Sequence, residues 1–406
     1  MYDVIVIGGG AAGLFAAYSA ASLGKKVVVL EKNEKLGKKI YITGKGRCNL
    51  TNNVSVNEFF NYVVSNPKFV FSSINVFPPK NTIDFFEENG LNLKFERGNR
   101  VFPASDKASD VTNTLERKLK QLGVEIRLNT TACDIMVEQQ SVCGVLTSND
   151  KVLAKSVIVC TGGISYPLTG STGDGYRFAQ KLGHLVTPLL PSLVGLELKG
   201  NDFVEMQGLS LKNVTLTAMI EQKVLFSDFG EMLFTHYGVS GPIVLSCSSV
   251  INRCQINNID LFIDLKPALE KSTLENRLLR EFKDNNTKEL SSVMRSLLPK
   301  TLIATVLRQA KVSGKKNCSE ITVADRTAII RALKGLKFSI KKLRPIEEGI
   351  VTAGGVSTKE INPKTMESKL IKGLYFAGEV LDVDAYTGGF NLQLAFSTGF
   401  VAGQNA

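Results

Sequence analysis

The 406-residue sequence predicts an α/β chain: a parallel sheet flanked by helices, carrying an inserted antiparallel β-barrel and a small helical segment. Three observations predict it. The chain opens on strand, glycine turn, helix and strand. The same βα pattern returns after Pro345. Between the two, alternating short strands begin near Pro191 and give way to a basic helical run.

The opening is the most informative stretch. Val4 to Ile7 is an unbroken apolar run, as a parallel strand buried on both faces requires. Gly8, Gly10 and Gly13 then follow at the spacing G-x-G-x-x-G. The first allows a tight turn, the second lets backbone approach a pyrophosphate, and the third lets helix and strand pack closely. A helix of small residues runs from Leu14 to Leu23 and stops at Gly24. Val27 to Leu30 is the next strand, closed by Glu31. Eighteen residues past Gly13, that carboxylate can accept hydrogen bonds from both ribose hydroxyls of an adenosine. In this context the glycine turn predicts dinucleotide binding; a glycine-rich turn with no ligand is the alternative.

Length favours two or three domains, and the 44% hydrophobic fraction suits a large ordered core. Residues 4 to 24 carry no charge, but Asp3, three early glycines and the lack of a basic leader argue against a membrane span or signal peptide. No other targeting or transmembrane segment is found, so a cytoplasmic bacterial-type enzyme is expected. Seven cysteines without a C-x-x-C pair suit reduced thiols, and with only His184 and His236 beside them they predict no metal site.

The net charge of +11 is unevenly spread. Residues 266 to 344 hold 19 Lys and Arg against 7 Asp and Glu, a net +12, so the remainder is nearly neutral. A solvated helical face is the plain reading of that segment. A patch for nucleic acid or another acidic partner is the sharper one, although no interleaved aromatics support base stacking.

In order along the chain, residues 35 to 52 form a basic, glycine-punctuated loop placed to lie over a crevice at the strand ends, with Lys38 and Arg47 able to meet phosphate or ring oxygens. Residues 58 to 120 read as helices, with Phe59, Phe60, Phe69, Phe71 and Phe77 in the core. Thr112 to Leu122 is a helix. Val124 to Leu128, Ala132 to Val137, Val142 to Leu146 and Val157 to Cys160 are strands. Leu193 to Leu198, Val214 to Ile220, Lys223 to Phe226 and Ile259 to Leu265 suit a small antiparallel barrel, with a helix over Ile243 to Val250. Leu269 to Leu333 reads as three or four short helices. After Pro345 come the strands Ile350 to Val356 and Leu374 to Glu379, then a last helix opened by Gly388-Gly389. That helix would aim its N-terminus near Asn391 at a flavin's pyrimidine end, where its free N–H groups stabilise negative charge.

The chain resembles the BaiN/YhiN-like (aminoacetone-oxidase-like) family of FAD-dependent bacterial flavoproteins. The matching stretches run nearly end to end: Gly8–Gly13, Thr43–Asn52, Thr161–Pro167 with Gly170–Gly175, Leu233–Pro242, Val351–Val356, and Gly373–Asp382 with Gly388–Asn391. One departure is Lys45, where the family usually has glycine. The resemblance implies a glutathione-reductase-type, Rossmann-like FAD-binding domain over residues 1–190 and 346–406. It also implies a barrel over 191–268 and 334–345 and a basic helical insert over 269–333. It implies noncovalent FAD bound by Gly8, Gly10, Ala11, Ala12, Gly13, Glu31, Lys32, Lys38, Ala132, Thr161, Gly162, Gly378 and Glu379. Gly46, Arg47, Cys48, Asn49, Gly389, Phe390, Asn391 and Leu392 would lie by the isoalloxazine.

The expected activity is that of an FAD-dependent oxidoreductase passing hydride between flavin N5 and a small organic substrate lying between the flavin and the barrel. NAD(P)H would be a diffusible reductant, since no second strand–GxGxxG–helix unit is present. The alternatives are an amine or aminoketone oxidase using O2 and, in another class, an RNA-binding or RNA-modifying flavoprotein. His236 is the candidate proton donor or acceptor, against a structural histidine holding its loop. His184, after the helix-ending Gly183, reads as structural. Cys48 lacks the nearby second cysteine that disulfide reduction wants.

Overall fold

A computed structural model describes residues 1–406, which divide into two compact units: Met1–Ser192 with Ile346–Ala406, and Leu193–Pro345.

The first unit is built on β1 (Tyr2–Ile7), α1 (Ala11–Ser22) and β2 (Val27–Leu30). β1 pairs in parallel with β2 on one side, Val4 opposite Val27, and with strand Lys151–Val159 on the other, Ile7 opposite Val159. Glu125–Arg127 extends the sheet beyond β2. Strand Lys151–Val159 does double duty. Its end, from Val157, pairs in parallel with Leu374–Phe376, while its start pairs antiparallel in the meander Ala132–Glu138 and Ser141–Thr147. The C-terminal strand therefore joins the same sheet as the N-terminal ones, separated from β1 by Lys151–Val159.

Val4, Ile5 and Val6 are fully buried, as in a parallel strand covered on both faces. α1 packs backbone to backbone against the last helix, Phe390–Asn405. A Cβ on Gly399 or Gly403 would stand 2.2 Å from the carbonyl oxygen of Ala12 or Ala16. Phe15 fills the space beside this seam, with ring centroids 4.5 Å from Phe396 and 5.0 Å from Phe85. Burying such a ring is worth about 2–3 kcal/mol. The expected core holds at Phe59, Phe69 and Phe77, whereas Phe71 is 57% exposed and stacks on Phe60 at 5.3 Å. The two-residue strand β3 (Thr51–Asn52) pairs antiparallel with Arg100–Pro103.

The second unit is a closed six-stranded antiparallel barrel: Leu196–Leu198, Gly238–Ser240, Lys223–Thr235, Ser210–Ile220, Ile259–Asp264 and Leu336–Leu343, closed by Leu196 opposite Leu343. The hairpin strands are longer than the sequence suggests. Lys223 runs past Phe226 to Thr235 through two register shifts against Ser210–Ile220, which interrupt the alternation that would have revealed them. The expected strand Leu193–Leu198 is split at Leu193 (φ +55°). Leu190–Ser192 pairs instead with Val351–Ala353 in the first unit, and only Leu196–Leu198 joins the barrel.

Helices Lys271–Asp284, Leu290–Val293, Lys300–Ala310 and Val323–Lys334 complete the second unit. They bury Leu274, Leu278, Phe282, Leu302, Val306, Ile329 and Leu333. Several of the unit's cations are paired, Arg326 with Glu275 at 3.0 Å and Lys334 with Asp264 at 2.6 Å. No helix of the chain is long and apolar enough to cross a membrane.

Candidate functional site

The three glycines of the first turn play different parts. Gly8 has φ +103°, and a Cβ there would meet the Cys160 carbonyl oxygen at 2.5 Å. At Gly13 it would stand 1.9 Å from the Gly8 carbonyl oxygen, whereas at Gly10 it would meet nothing within 4 Å. The turn is closed on the protein side and open at Gly10, just where α1 begins. The N–H groups of that first turn, over Ala11, Ala12 and Gly13, have no intrahelical acceptor.

Glu31 is 7% exposed and held from two sides. Oε2 accepts from Gly9 N–H at 2.7 Å, and Oε1 from the Asn33 backbone and side chain at 2.8 and 2.7 Å. Four lone-pair sites on the two oxygens leave room for a ribose hydroxyl. Thr130 N–H donates to the Glu31 carbonyl at 2.9 Å, which brings Ala132, at the head of its strand, close by. Lys32 turns to Thr172 Oγ1 at 2.5 Å and Asp174 at 2.7 Å.

Gly378 has φ +78°, and a Cβ there would press on the Ala12 methyl at 2.6 Å, so this segment runs against the start of α1. Glu379 accepts from Lys39 Nζ at 2.7 Å, Ser165 Oγ at 3.0 Å and Thr352 N–H at 2.9 Å. Lys39 also reaches Ser165 at 2.6 Å. Sequence reasoning chose Lys38, whose amine instead pairs with Glu34 at 2.8 Å and Asn33 at 3.3 Å. Lys39, Ser165 and Thr352, which surround Glu379, were not singled out from the sequence. Gly162 (φ +70°) faces Ser171 and Glu379, and the buried Thr161 Oγ1 beside it has no hydrogen-bond partner.

The loop after Thr43 carries left-handed residues at Gly44, Lys45, Gly46 and Cys48. A lysine at φ +60° is strained by about 1 kcal/mol relative to glycine. Arg47 donates to Asp106 at 2.7 Å and to Glu96, and lies 4.2 Å over the Phe102 ring, so its charge is neutralised within the chain. The Cys48 thiol is fully buried, which pushes its pKa up to about 12 and leaves only its backbone for a ligand. Asn49 Oδ1 and Asn52 Oδ1 are buried without partners.

Gly389 (φ +99°) caps the last helix against β3: a Cβ would lie 2.4 Å from the Thr51 carbonyl carbon. Phe390 stacks on Tyr62 at 4.2 Å and 13°. Asn391 clamps the preceding loop, accepting from Ala385 N–H at 2.9 Å and donating to the Ala385 and Tyr386 carbonyls at 2.8 and 3.2 Å. Leu392 is half-buried. Gln393, also missed, is fully buried and anchors the helix by accepting from Thr51 at 2.6 Å and Thr82 at 2.8 Å.

His236 belongs to the other unit, exposed in the two-residue turn between Lys223–Thr235 and Gly238–Ser240, its ring 5.0 Å edge-on from Tyr237. His184 is 3% exposed and bonded at both nitrogens, to Glu360 at 3.2 Å and Ser368 Oγ at 2.9 Å. Burial holds its pKa below the ordinary value, against a smaller opposing pull from Glu360.

An open glycine at a helix N-terminus and a buried carboxylate closing the second strand fit a flavin dinucleotide. The HI0933-like protein Rossmann domain family matches residues 2–405. The 3-dehydro-bile acid Δ4,6-reductase of Clostridium scindens is 33% identical over 412 aligned positions, covering 100% of this chain and 99% of the relative. The ribosomal RNA dihydrouridine synthase of Haemophilus influenzae is 33% identical over 403, covering 98% and 96%. In fold, the chain is similar to the 3-ketosteroid Δ1-dehydrogenase of Sterolibacterium denitrificans, with a TM-score of 0.55 at 15% identity, covering 99% of this chain and 98% of that one. The chain therefore belongs to the HI0933-like Rossmann-domain family and is an FAD-dependent oxidoreductase.

Proposed function

We propose that the chain reduces a carbon–carbon double bond conjugated to a carbonyl. The observation that carries this reading is the full-length likeness, at 33% identity, to two enzymes whose names describe such reductions. A Δ4 bond beside a 3-ketone and the C5–C6 bond of uracil beside its C4 carbonyl are the same functional group. Bound FAD supplies the hydride at its flavin ring. The chain holds it without a covalent bond: Glu31 takes the ribose, the Gly10–Gly13 turn the pyrophosphate, Glu379 with Lys39 the ribityl chain. The N-terminus of helix Phe390–Asn405 offers donors to charge developing at the pyrimidine end. Reduction would place a hydride on the carbon β to the carbonyl and a proton on the α carbon; His236 is the residue proposed to supply that proton. NAD(P)H is the proposed diffusible reductant.

The test is anaerobic absorbance of the FAD-loaded protein with NADH and NADPH added separately, followed by a Δ4-3-ketosteroid. Bleaching by a nicotinamide and recovery with the enone is the expected result. A flavin that resists both donors but bleaches with an amine would replace the reductase by an oxidase. His236→Ala should slow turnover at least tenfold with the flavin spectrum intact; loss of the flavin instead makes the histidine structural.

The net +12 over residues 266–344 favours a second reading, in which the enone is uracil within RNA. Ribosomal RNA should then bind at about 50 mM salt with an affinity that falls steeply as salt rises. No binding at that salt removes this reading.

A further inference from the structure

Asn33, two residues past Glu31, is half-buried and grips that carboxylate twice. Its backbone N–H donates to Glu31 Oε1 at 2.8 Å, and its side-chain amide donates to the same oxygen at 2.7 Å. The amide nitrogen also donates to the Thr169 carbonyl at 3.1 Å, while the amide oxygen accepts from the Lys38 amine at 3.3 Å. Acceptors face the nitrogen and a donor faces the oxygen, so the amide has one orientation. Both lone pairs of Oε1 are therefore engaged. Oε2 takes only the Gly9 N–H at 2.7 Å, so the spare accepting capacity of the carboxylate lies on Oε2.

Asn33 is itself fixed from its far side. Gly170 (φ +102°) comes so near that a Cβ there would stand 2.5 Å from the amide nitrogen. The loop carrying Thr169 and Gly170 continues to Thr172 and Asp174, which the neighbouring Lys32 amine reaches at 2.5 and 2.7 Å. Consecutive residues, Lys32 and Asn33, thus hold one loop while Asn33 holds the carboxylate. Ordering a long carboxylate side chain has an entropic cost, met either when the chain folds or when a ligand binds. Charge-assisted bonds from Asn33 meet it on folding. We propose that Asn33 is a positioning residue for the adenosine end of the cofactor. It locks the Glu31 carboxylate with Oε2 left to accept a ribose hydroxyl, and through Thr169 it ties that carboxylate to the loop. This rests on Glu31 as the ribose ligand of bound FAD.

The test is a cycle of FAD affinities, read by flavin fluorescence quenching on the apoprotein, for wild type, Asn33→Ala, Glu31→Ala and the double variant. Asn33→Ala should bind FAD about tenfold more weakly than wild type. In the Glu31→Ala background, where no carboxylate is left to hold, the same change should cost no more than about twofold. FMN, which lacks the adenosine half, should bind wild type and Asn33→Ala alike. An equal loss in both backgrounds overturns the proposal. So does an FMN affinity that falls together with the FAD affinity, because either result marks a general structural role. An Asn33→Ala protein with wild-type FAD affinity overturns it as well. If that variant does not fold, Asn33→Ser takes its place in the cycle. Unchanged FAD affinity in Glu31→Ala is a distinct outcome, which removes the ribose reading and the proposal with it.

Discussion

Glu31 and Asn52 are both buried polar residues of the first unit, yet they are finished to different degrees. Each Glu31 oxygen already has donors from Gly9 and Asn33, and the carboxylate is oriented before any ligand arrives. Asn52 has spent both its donors on Gly388 and Gly98 and keeps an acceptor with nothing to accept. The difference is one of preparation: a carboxylate whose oxygens are held in place is a preformed shape, whereas an acceptor left unpaired is a cost that the fold carries.

The contrast can be broken hardest inside the glycine turn. Gly13→Ala must push a methyl into the Gly8 carbonyl, 1.9 Å away, so the unfolding free energy should fall by about 3 kcal/mol or more with or without FAD. Gly10→Ala adds its methyl to open space, so the apoprotein should melt within a few degrees of wild type while FAD affinity falls at least tenfold. Thermal melts and FAD titration of both variants separate these effects. If Gly10→Ala lost apoprotein stability as Gly13→Ala does, the preformed half would be a packing device and not a binding one.

A smaller effect is expected at Glu379. Removing its cation by Lys39→Ala leaves a carboxylate that is mostly shielded from water with only Ser165 and Thr352 to hold it. Stability should drop by about 1–2 kcal/mol, and FAD retention should weaken. Lys38→Ala, which removes a surface pair with Glu34 and a long hydrogen bond to Asn33, should change the melting temperature by no more than about a degree or two. Equal effects of the two would erase the distinction between the neighbouring lysines.

That distinction also marks what could be read from the chain alone. The first strand, the glycine turn, α1 and Glu31 were legible because each signal is local: an apolar run, a fixed glycine spacing, a terminal carboxylate. The return of the C-terminal strand Leu374–Phe376 to the same sheet was legible from the repeated βα pattern. Lys39 was not, because its partner Glu379 lies 340 residues away and only the phase of the short helix Lys38–Ile42 decides which lysine meets it. Asn52 was hidden for the same reason. Its significance comes from carbonyls at Gly98 and Gly388, which no spacing rule connects. Arg47 misled in the opposite direction: a cation in a glycine-rich loop suggests phosphate, but Asp106 and Glu96 had already claimed it.

The smallest expected effect concerns His184, a third buried polar residue, satisfied like Glu31 but without a ligand to bind. Both ring nitrogens are engaged, by Glu360 and Ser368, and the ring lies edge-on to Phe376 at 5.1 Å. Because burial depresses its folded-state pKa, the unfolded chain takes up this proton more readily than the native one. Its contribution to stability is therefore present above about pH 6.5, the ordinary histidine value, and is lost as the pH falls below it. Between pH 7.5 and 5.5 the wild type should lose about 1–3 °C more in melting temperature than His184→Gln, which has no proton to gain. FAD affinity should follow the same course in both proteins, since His184 answers to Glu360 and Ser368 and not to a ligand. A wild type that becomes more stable on acidification relative to the variant would mean that Glu360 holds the imidazole in its charged form, and the residue would then resemble the ion pair at Glu379 more than the finished hydrogen bonding at Glu31.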